Sequence, residues 1–226
     1  GRKMSEKKTI ALVSSTINAV GPMTEYIKKT APDYKVVNYL DGGMMGKVKQ
    51  DGGINAETIK RFTDMIANAF SDGADGVIMT CTIFSPWAEA FTATYHKPVV
   101  PADIAMLDRA SRCPGRTAII CTFEGTVETT RNGYFAYRRK NGMPEVVDMY
   151  PVPKAFEAAQ RGDMDECERI VAEKIRELDA LYDQIVLAQI SMSGAARLVE
   201  MQHAKLFTSP SEALREMQER LMRDTP

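Results

Sequence analysis

Short apolar runs rich in branched residues alternate along this chain with longer stretches whose apolar positions recur every three or four residues. TIALVSS (9–15), YKVVNYL (34–40), GVIMTC (76–81) and PVV (98–100) read as strands in the first half. RTAIICT (116–122), EVVDMY (145–150), DQIVLAQ (183–189) and KLFT (205–208) read as strands in the second. Between them, Ile59, Phe62, Ile66 and Phe70 keep helical spacing behind Asn55 as N-cap, and Ile170, Val171, Ile175 and Leu178 do so behind Asp163. Short strands separated by helices predict an α/β fold of mainly parallel sheets covered on both faces. DGGMMGKVKQDGG (41–53) breaks the rhythm and predicts a mobile loop, either a lid or an ordinary surface excursion.

The pattern also repeats. Thr9 opens TIALVSS and Thr117 opens TAIICTF, a shift of 108 positions that also carries Asp75 to Asp183, Ser85 to Ser193, Lys97 to Lys205 and Ala105 to Ala213. Strand falls on strand at that one shift without a gap. This predicts two pseudo-symmetric lobes, each a mainly parallel sheet flanked by helices, with the active site in the cleft between them. The expected boundaries are 8–105 plus 206–226 for the first lobe and 106–205 for the second. The last helix, from Ser209, is expected to pack on the first lobe.

Composition narrows the classes. The 226 residues carry 29 basic and 30 acidic side chains, a balance that argues against nucleic-acid or anionic-membrane partners. No apolar run reaches membrane-spanning length, and GRKMSEKK lacks the apolar core of a signal peptide. Cys81, Cys113, Cys121 and Cys167 form no CxxC pair and no metal-ligand spacing, which fits unpaired thiols in a cytoplasmic protein.

Strand-end residues carry the candidate chemistry. In α/β sheets the carboxyl ends of the strands face the ligand crevice. Those ends hold Ser14, Ser15 and Thr16, then Cys81 and Thr82, in the first lobe, and Thr122, Thr126, Gln189 and Ser191 in the second. Such a set, rich in hydroxyls and poor in charge, can hold a carboxylate through hydroxyls and backbone N–H groups. Each hydroxyl taken singly can equally cap a helix or close a turn. Ser85-Pro86 is expected to start a helix, placing Cys81 just before a positive helix end that favours thiolate. A buried thiol that merely fills space is the alternative. Cys121 is either pocket-lining or core, and Cys113 and Cys167 read as structural. His96 and His203 precede strands, away from the crevice, and read as surface or packing residues. SSTINAVGP lacks phosphate-loop glycine spacing, so no nucleotide, metal or other cofactor is expected.

VIMTCT around Cys81, Thr126-Val127 and KLFTSPSEAL resemble the aspartate/glutamate racemase superfamily, which includes hydantoin racemases, maleate isomerases and arylmalonate decarboxylases. The likeness runs from Thr9 to the last helix. It implies two α/β lobes, a cofactor-independent exchange of a proton at the α-carbon by one cysteine per lobe, and frequent homodimers. Cys81 stands at the first cysteine position. The second falls on Gln189, within LAQISM, and a carboxamide cannot shuttle a proton to or from carbon. Ser14 replaces the acidic residue that glutamate racemases place after the first strand.

The resulting expectation is a racemase- or isomerase-like enzyme acting on a small carboxylate (amino acid, hydantoin or dicarboxylate) through Cys81. A single-thiol lyase of the arylmalonate type and a non-catalytic acid-binding module are the alternatives. Segment 41–53 and Phe84, Trp87, Phe123 and Tyr134 are expected to shape the pocket.

Overall fold

The structure is a computed structural model that describes residues 6–122 and 124–223. Two compact units make up the chain. One holds the residues through Ala102 together with those from Ala213 onward, and the other is Asp103–Glu212.

In the first unit, β1 (Thr9–Ser14) lies between β2 (Lys35–Leu40) and β3 (Gly76–Met79), and β4 (Val99–Pro101) completes a parallel sheet of order β2-β1-β3-β4. Helices α1 (Ile17–Thr30), α2 (Met44–Gln50), α3 (Ala56–Ser71) and α4 (Ala88–Tyr95) accompany it. The core gathers Ala11, Val13, Phe62, Ile66, Val77, Met79 and Phe84. α3 forms because its start is satisfied and its apolar stripe is continuous. The Asn55 side chain accepts the Thr58 N–H at 3.1 Å while Thr58 Oγ1 accepts the Asn55 N–H at 3.0 Å.

After α5 (Ala102–Ser111), the second unit repeats the order with β5 (Thr117–Cys121), α6 (Val127–Lys140), β6 (Asp148–Pro151), α7 (Pro153–Gln160), α8 (Met164–Asp179), β7 (Gln184–Leu187) and β8 (Lys205–Phe207). Its sheet is also parallel, in the order β6-β5-β7-β8. Asp163 accepts the Glu166 N–H at 3.1 Å to cap α8, which buries Cys167, Val171, Ile175 and Leu178. Helix α9 (Ser209–Arg223) begins in this unit and ends in the first. There, Met217 packs against Gly76 and Lys8 Nζ donates to the Leu221 carbonyl at 3.3 Å. Among the described residues no helix is long and apolar enough to cross a membrane.

Three expectations are corrected. The segment 41–53 is no structureless loop, because α2 occupies its middle. Met44 is wholly buried there, and Arg61 grips the Asp41 carboxylate with two hydrogen bonds of 2.8 and 3.0 Å. The helix expected at Ser85-Pro86 starts earlier, as a 3-10 turn over Thr82–Trp87 that runs directly into α4, with Cys81 as its N-cap.

The repeat, finally, is not gapless. α3 and α8 are both 16 residues long and keep the shift of 108 at each end, as do β3 and β7. The ladders slip by one, however. Ile10 stands opposite Gly76, whereas Thr117, not Ala118, stands opposite Gln184. Asp41 N–H bonds the Ser14 carbonyl as Val152 N–H bonds that of Cys121, so Ser14 corresponds to Cys121 and Ser15 to Thr122. A one-residue slip exchanges the faces of a strand, so this decides which side chains match. A further 3-10 turn, Glu124–Thr126, inserts residues before α6 that α1 lacks.

Candidate active site

Strand β3 ends two residues before Cys81, whose extended backbone (φ −92°, ψ 107°) carries the chain from the sheet into the 3-10 turn. The side chain belongs to the apolar cluster of Val13, Phe62, Met79 and Phe84, with Phe84 stacked on Phe62 at 4.2 Å. It keeps 8% of its surface open, where Val77, Ile78 and Met79 keep 1% or less. The residue therefore lies buried at the rim of the core and not wholly sealed inside it. Thr82, the first residue of the turn, is exposed.

At the end of β1 the hydroxyls separate into distinct roles. Ser14 is wholly buried, and its Oγ accepts a hydrogen bond from Thr80 Oγ1 at 2.7 Å, which ties the ends of β1 and β3 together. Ser15 is also buried, and among the described residues its Oγ has no hydrogen-bond partner. A buried hydroxyl left unsatisfied costs about 1–3 kcal/mol, so Ser15 is a group that a ligand or water would complete. Thr16 is exposed. Its carbonyl accepts the Ala19 N–H at 3.3 Å, but its side chain does not cap α1.

The second unit arranges its strand ends differently. Cys121, the last residue of β5, is wholly buried, and its thiol is hydrogen-bonded to the Thr126 side chain. Burial pushes this thiol up, the Thr126 bond pulls it down and Glu124 pushes it up again. The net rise keeps Cys121 protonated at neutral pH. Thr126 is the N-cap of α6 without a side-chain capping bond, so its hydroxyl serves the thiol and not the helix. The Thr122 N–H donates to Gln189 Oε1 at 3.0 Å. Gln189 itself precedes a 3-10 turn over Ile190–Leu198, in which Ser191 is half-buried and Ser193 Oγ donates to the Ile190 carbonyl at 2.6 Å.

Within the first unit, Ser14, Ser15, Thr16, Cys81 and Thr82 thus all lie at the carboxyl ends of β1 and β3. In the second, Thr122, Gln189 and Ser191 lie at the ends of β5 and β7, with Thr126 one short turn farther on. Thr80 and the Cys121–Thr126 contact carry no mark in the sequence, because a hydroxyl inside a strand run looks like any other strand residue.

Tyr134 is wholly buried, with its hydroxyl 2.8 Å from Thr117 Oγ1, and so is a core residue and not a pocket wall. Phe123 lies outside the described residues. His96 closes α4 in the left-handed conformation (φ 53°), and His203 sits near Asp183, both at the amino ends of strands. None of the four cysteines is in a disulfide.

This fold has known counterparts. Solved structures similar to the chain include the Picrophilus torridus aspartate racemase, with 13% identity, 95% of this chain and 94% of that one covered, and a TM-score of 0.64. Allantoin racemase from Klebsiella pneumoniae shares 14% identity over 96% of this chain and 88% of its own, with a TM-score of 0.64. A mutant of arylmalonate decarboxylase in the sulfate ion associated form shares 13% identity over 96% and 94%, with a TM-score of 0.56. No curated protein matches the sequence. The sequence profile of the Asp/Glu/hydantoin racemase family matches residues 10–216. With nearly its whole length inside that match, the chain belongs to the Asp/Glu/hydantoin racemase family.

Proposed function

We propose that this protein is a cofactor-independent racemase- or isomerase-like enzyme that acts at the α-carbon of a small carboxylate through the thiol of Cys81. The family supports the reaction class. The observation that carries the assignment to Cys81 is its place: the residue that leads from β3 into a 3-10 turn and helix, buried at the rim of an apolar core. Apolar surroundings strengthen every electrostatic interaction near the sulfur, and the N–H groups of the following turn favour negative charge there.

In the proposed step the Cys81 thiolate takes the α-proton. The S–H bond forms, the C–H bond breaks, and the electron pair moves into the carboxylate as an enediolate. Return of the proton to the same face restores substrate and thiolate, whereas delivery of a proton from water to the opposite face gives the inverted product, the thiol then losing its proton to the hydroxide left behind. Ser15, with its unsatisfied hydroxyl, and Thr82 are proposed to hold the substrate beside the thiol. Ser14, Thr16, Thr122, Thr126, Gln189 and Ser191 complete the proposed binding set. The substrate class is an amino acid, a hydantoin or a dicarboxylate.

A lyase reading is favoured by one feature, the carboxamide of Gln189 at the place in the second unit that Cys81 holds in the first. Loss of CO2 from a substituted malonate would leave the same enediolate, which one thiol suffices to protonate.

Incubation of amino acids, hydantoins and substituted malonates in D2O, followed by NMR at the α-carbon, separates these readings. Exchange without CO2 release, abolished in Cys81→Ala, supports the isomerase. CO2 release with α-deuteration supports the lyase. Exchange or turnover that survives in Cys81→Ala overturns the role of the thiol.

A further inference from the structure

Cys81 follows the carboxyl end of a strand in the first sheet; at the opposite, amino ends lies an open cavity of about 510 Å³. Thr92 and His96 reach it from α4 and its cap, Lys97 and Pro98 from the link into β4, and Arg220 and Arg223 from α9. All six belong to the first unit, and no acidic residue is among them. The floor is fixed by hydrogen bonds. Pro98 is buried and its carbonyl accepts the Val77 N–H at 2.9 Å, while Thr92 Oγ1 accepts the Val99 N–H at 3.1 Å. The cations keep donors in reserve. Arg220 bonds Glu216 through Nε, at 2.9 Å, and Lys97 Nζ makes one bond of 3.4 Å, to the Ala74 carbonyl, beside the Phe70 ring.

His96 adds a backbone cost. Its φ of 53° makes it the one non-glycine residue with positive φ among the described residues, at the position after a helix where glycine is the usual choice. Cations near helix ends can serve only to answer the C-terminal dipole. That accounts for the arginines of α9 taken singly, but not for Lys97 and a strained histidine converging on the same cavity. The geometry points to a second binding site, at the ends of the strands opposite Cys81, for a small organic phosphate carrying more than one negative charge. Guanidinium forks match phosphate oxygens in pairs, and three cations without an acid in the lining exceed what a single carboxylate needs. The cavity is of the size that small-molecule ligands fill, larger than one inorganic ion requires.

Calorimetric binding of pyrophosphate, ADP and citrate at low salt tests this on wild type, Arg220→Gln, Arg223→Gln, His96→Gly and Cys81→Ala, alongside thermal melting. Lys28→Gln, at an exposed position on α1, is the control for diffuse surface charge. Wild type is expected to bind pyrophosphate and ADP more tightly than citrate. Each arginine variant should lose roughly tenfold or more in affinity at a near-wild-type melting temperature, as for a lost hydrogen bond to a charged group. Cys81→Ala and Lys28→Gln should bind as wild type does. His96→Gly relieves the left-handed backbone, so it should melt at or above the wild-type temperature while binding more weakly. A wild type that binds neither phosphate compound would overturn the inference, as would wild-type affinity in both arginine variants. An equal loss in Lys28→Gln would reduce the site to general surface attraction, and loss in Cys81→Ala would move the anion to the other ends of the strands. Citrate bound as tightly as ADP would overturn the phosphate assignment, and wild-type affinity in His96→Gly would remove the imidazole from the site.

Discussion

Asp75 and Thr9 close a ring of two hydrogen bonds at the foot of the first sheet. The Thr9 N–H donates to Asp75 Oδ2 at 2.7 Å, and the Asp75 N–H returns to the Thr9 carbonyl at 2.8 Å. Asp183 and Arg116 form the same ring in the second unit, with both bonds at 2.8 Å. Each ring locks the entry of a central strand to the turn before its neighbour. Asp75→Ala and Asp183→Ala should each lower stability by about 1–2 kcal/mol, with Asn at either position retaining part of it through the amide oxygen. Urea midpoints of the four variants check this.

Gly115 makes the second ring more fragile. Its φ of +100° disfavours any side chain, and a Cβ there would overlap the Asp183 carboxylate. Gly115→Ala should therefore cost more than Asp183→Ala, with about 1–3 kcal/mol from backbone strain added to the lost bond. The double variant Gly115→Ala/Asp183→Ala should be less destabilised than the sum of the two, since the clash is gone. A thermodynamic cycle of the four proteins reads that difference.

Arg138 is 2% exposed and donates to the carbonyls of Ser111, Cys113 and Gly115 at 3.1, 2.8 and 3.2 Å. Its guanidinium also lies 5.3 Å from the centre of the Tyr134 ring. One planar cation thus organises the whole turn between α5 and β5. Arg138→Met would leave three carbonyls unanswered, at about 1–3 kcal/mol each. We expect a loss of at least about 3 kcal/mol, roughly 6–12 °C in melting temperature. Arg138→Lys should recover little, because an ammonium cannot span three acceptors.

Asp179 accepts the backbone N–H groups of Gln202, His203 and Ala204 at 2.7, 3.1 and 2.7 Å. Burial alone would raise its carboxyl, but the three N–H bonds and His203 hold it below the ordinary 3.8. A depressed native value means the unfolded chain takes up the proton first. The stabilisation is complete above the ordinary value and disappears as pH falls through the native one. In Asp179→Asn the urea midpoint should be lower at neutral pH and should fall less steeply on acidification than in wild type.

The stereochemical course of the reaction provides a fifth test. If Cys81 is the single acid–base group, α-deuterium should enter one enantiomer of an amino-acid substrate without loss of optical purity. Chiral chromatography of the recovered substrate distinguishes retention from racemisation.

Much of the fold was legible in the sequence because its signals are local. Branched apolar runs marked the inner strands, and the caps at Asn55 and Asp163 marked the two longest helices. Helix α2 was hidden because Gly42, Gly43, Gly46, Gly52 and Gly53 outweigh the single buried Met44 in any local reading. The 3-10 turn before α4 has no local signal that competes with Ser85-Pro86, which is as good a helix start as any. Side-chain identities also cannot reveal a one-residue slip between ladders. Asp75 and Asp183 obey the shift of 108, but the strands they grip, at Thr9 and Arg116, do not. The orientation of Gln189 was out of reach for a different reason: its partner is the backbone of Thr122, 67 residues away, and a backbone N–H has no letter in the sequence.

The unit that bears Cys81 is made of two stretches of chain, and the second is the last part of α9. Met217 fills the space beside Gly76 at the start of the strand that leads to the thiol. During synthesis, the amino-terminal sheet therefore emerges from the ribosome first yet has to wait, its seam open, while the whole of the other unit is translated. A chain ending at Glu212 and released from the ribosome would hold every residue of the second unit but lack the part of α9 that completes the first.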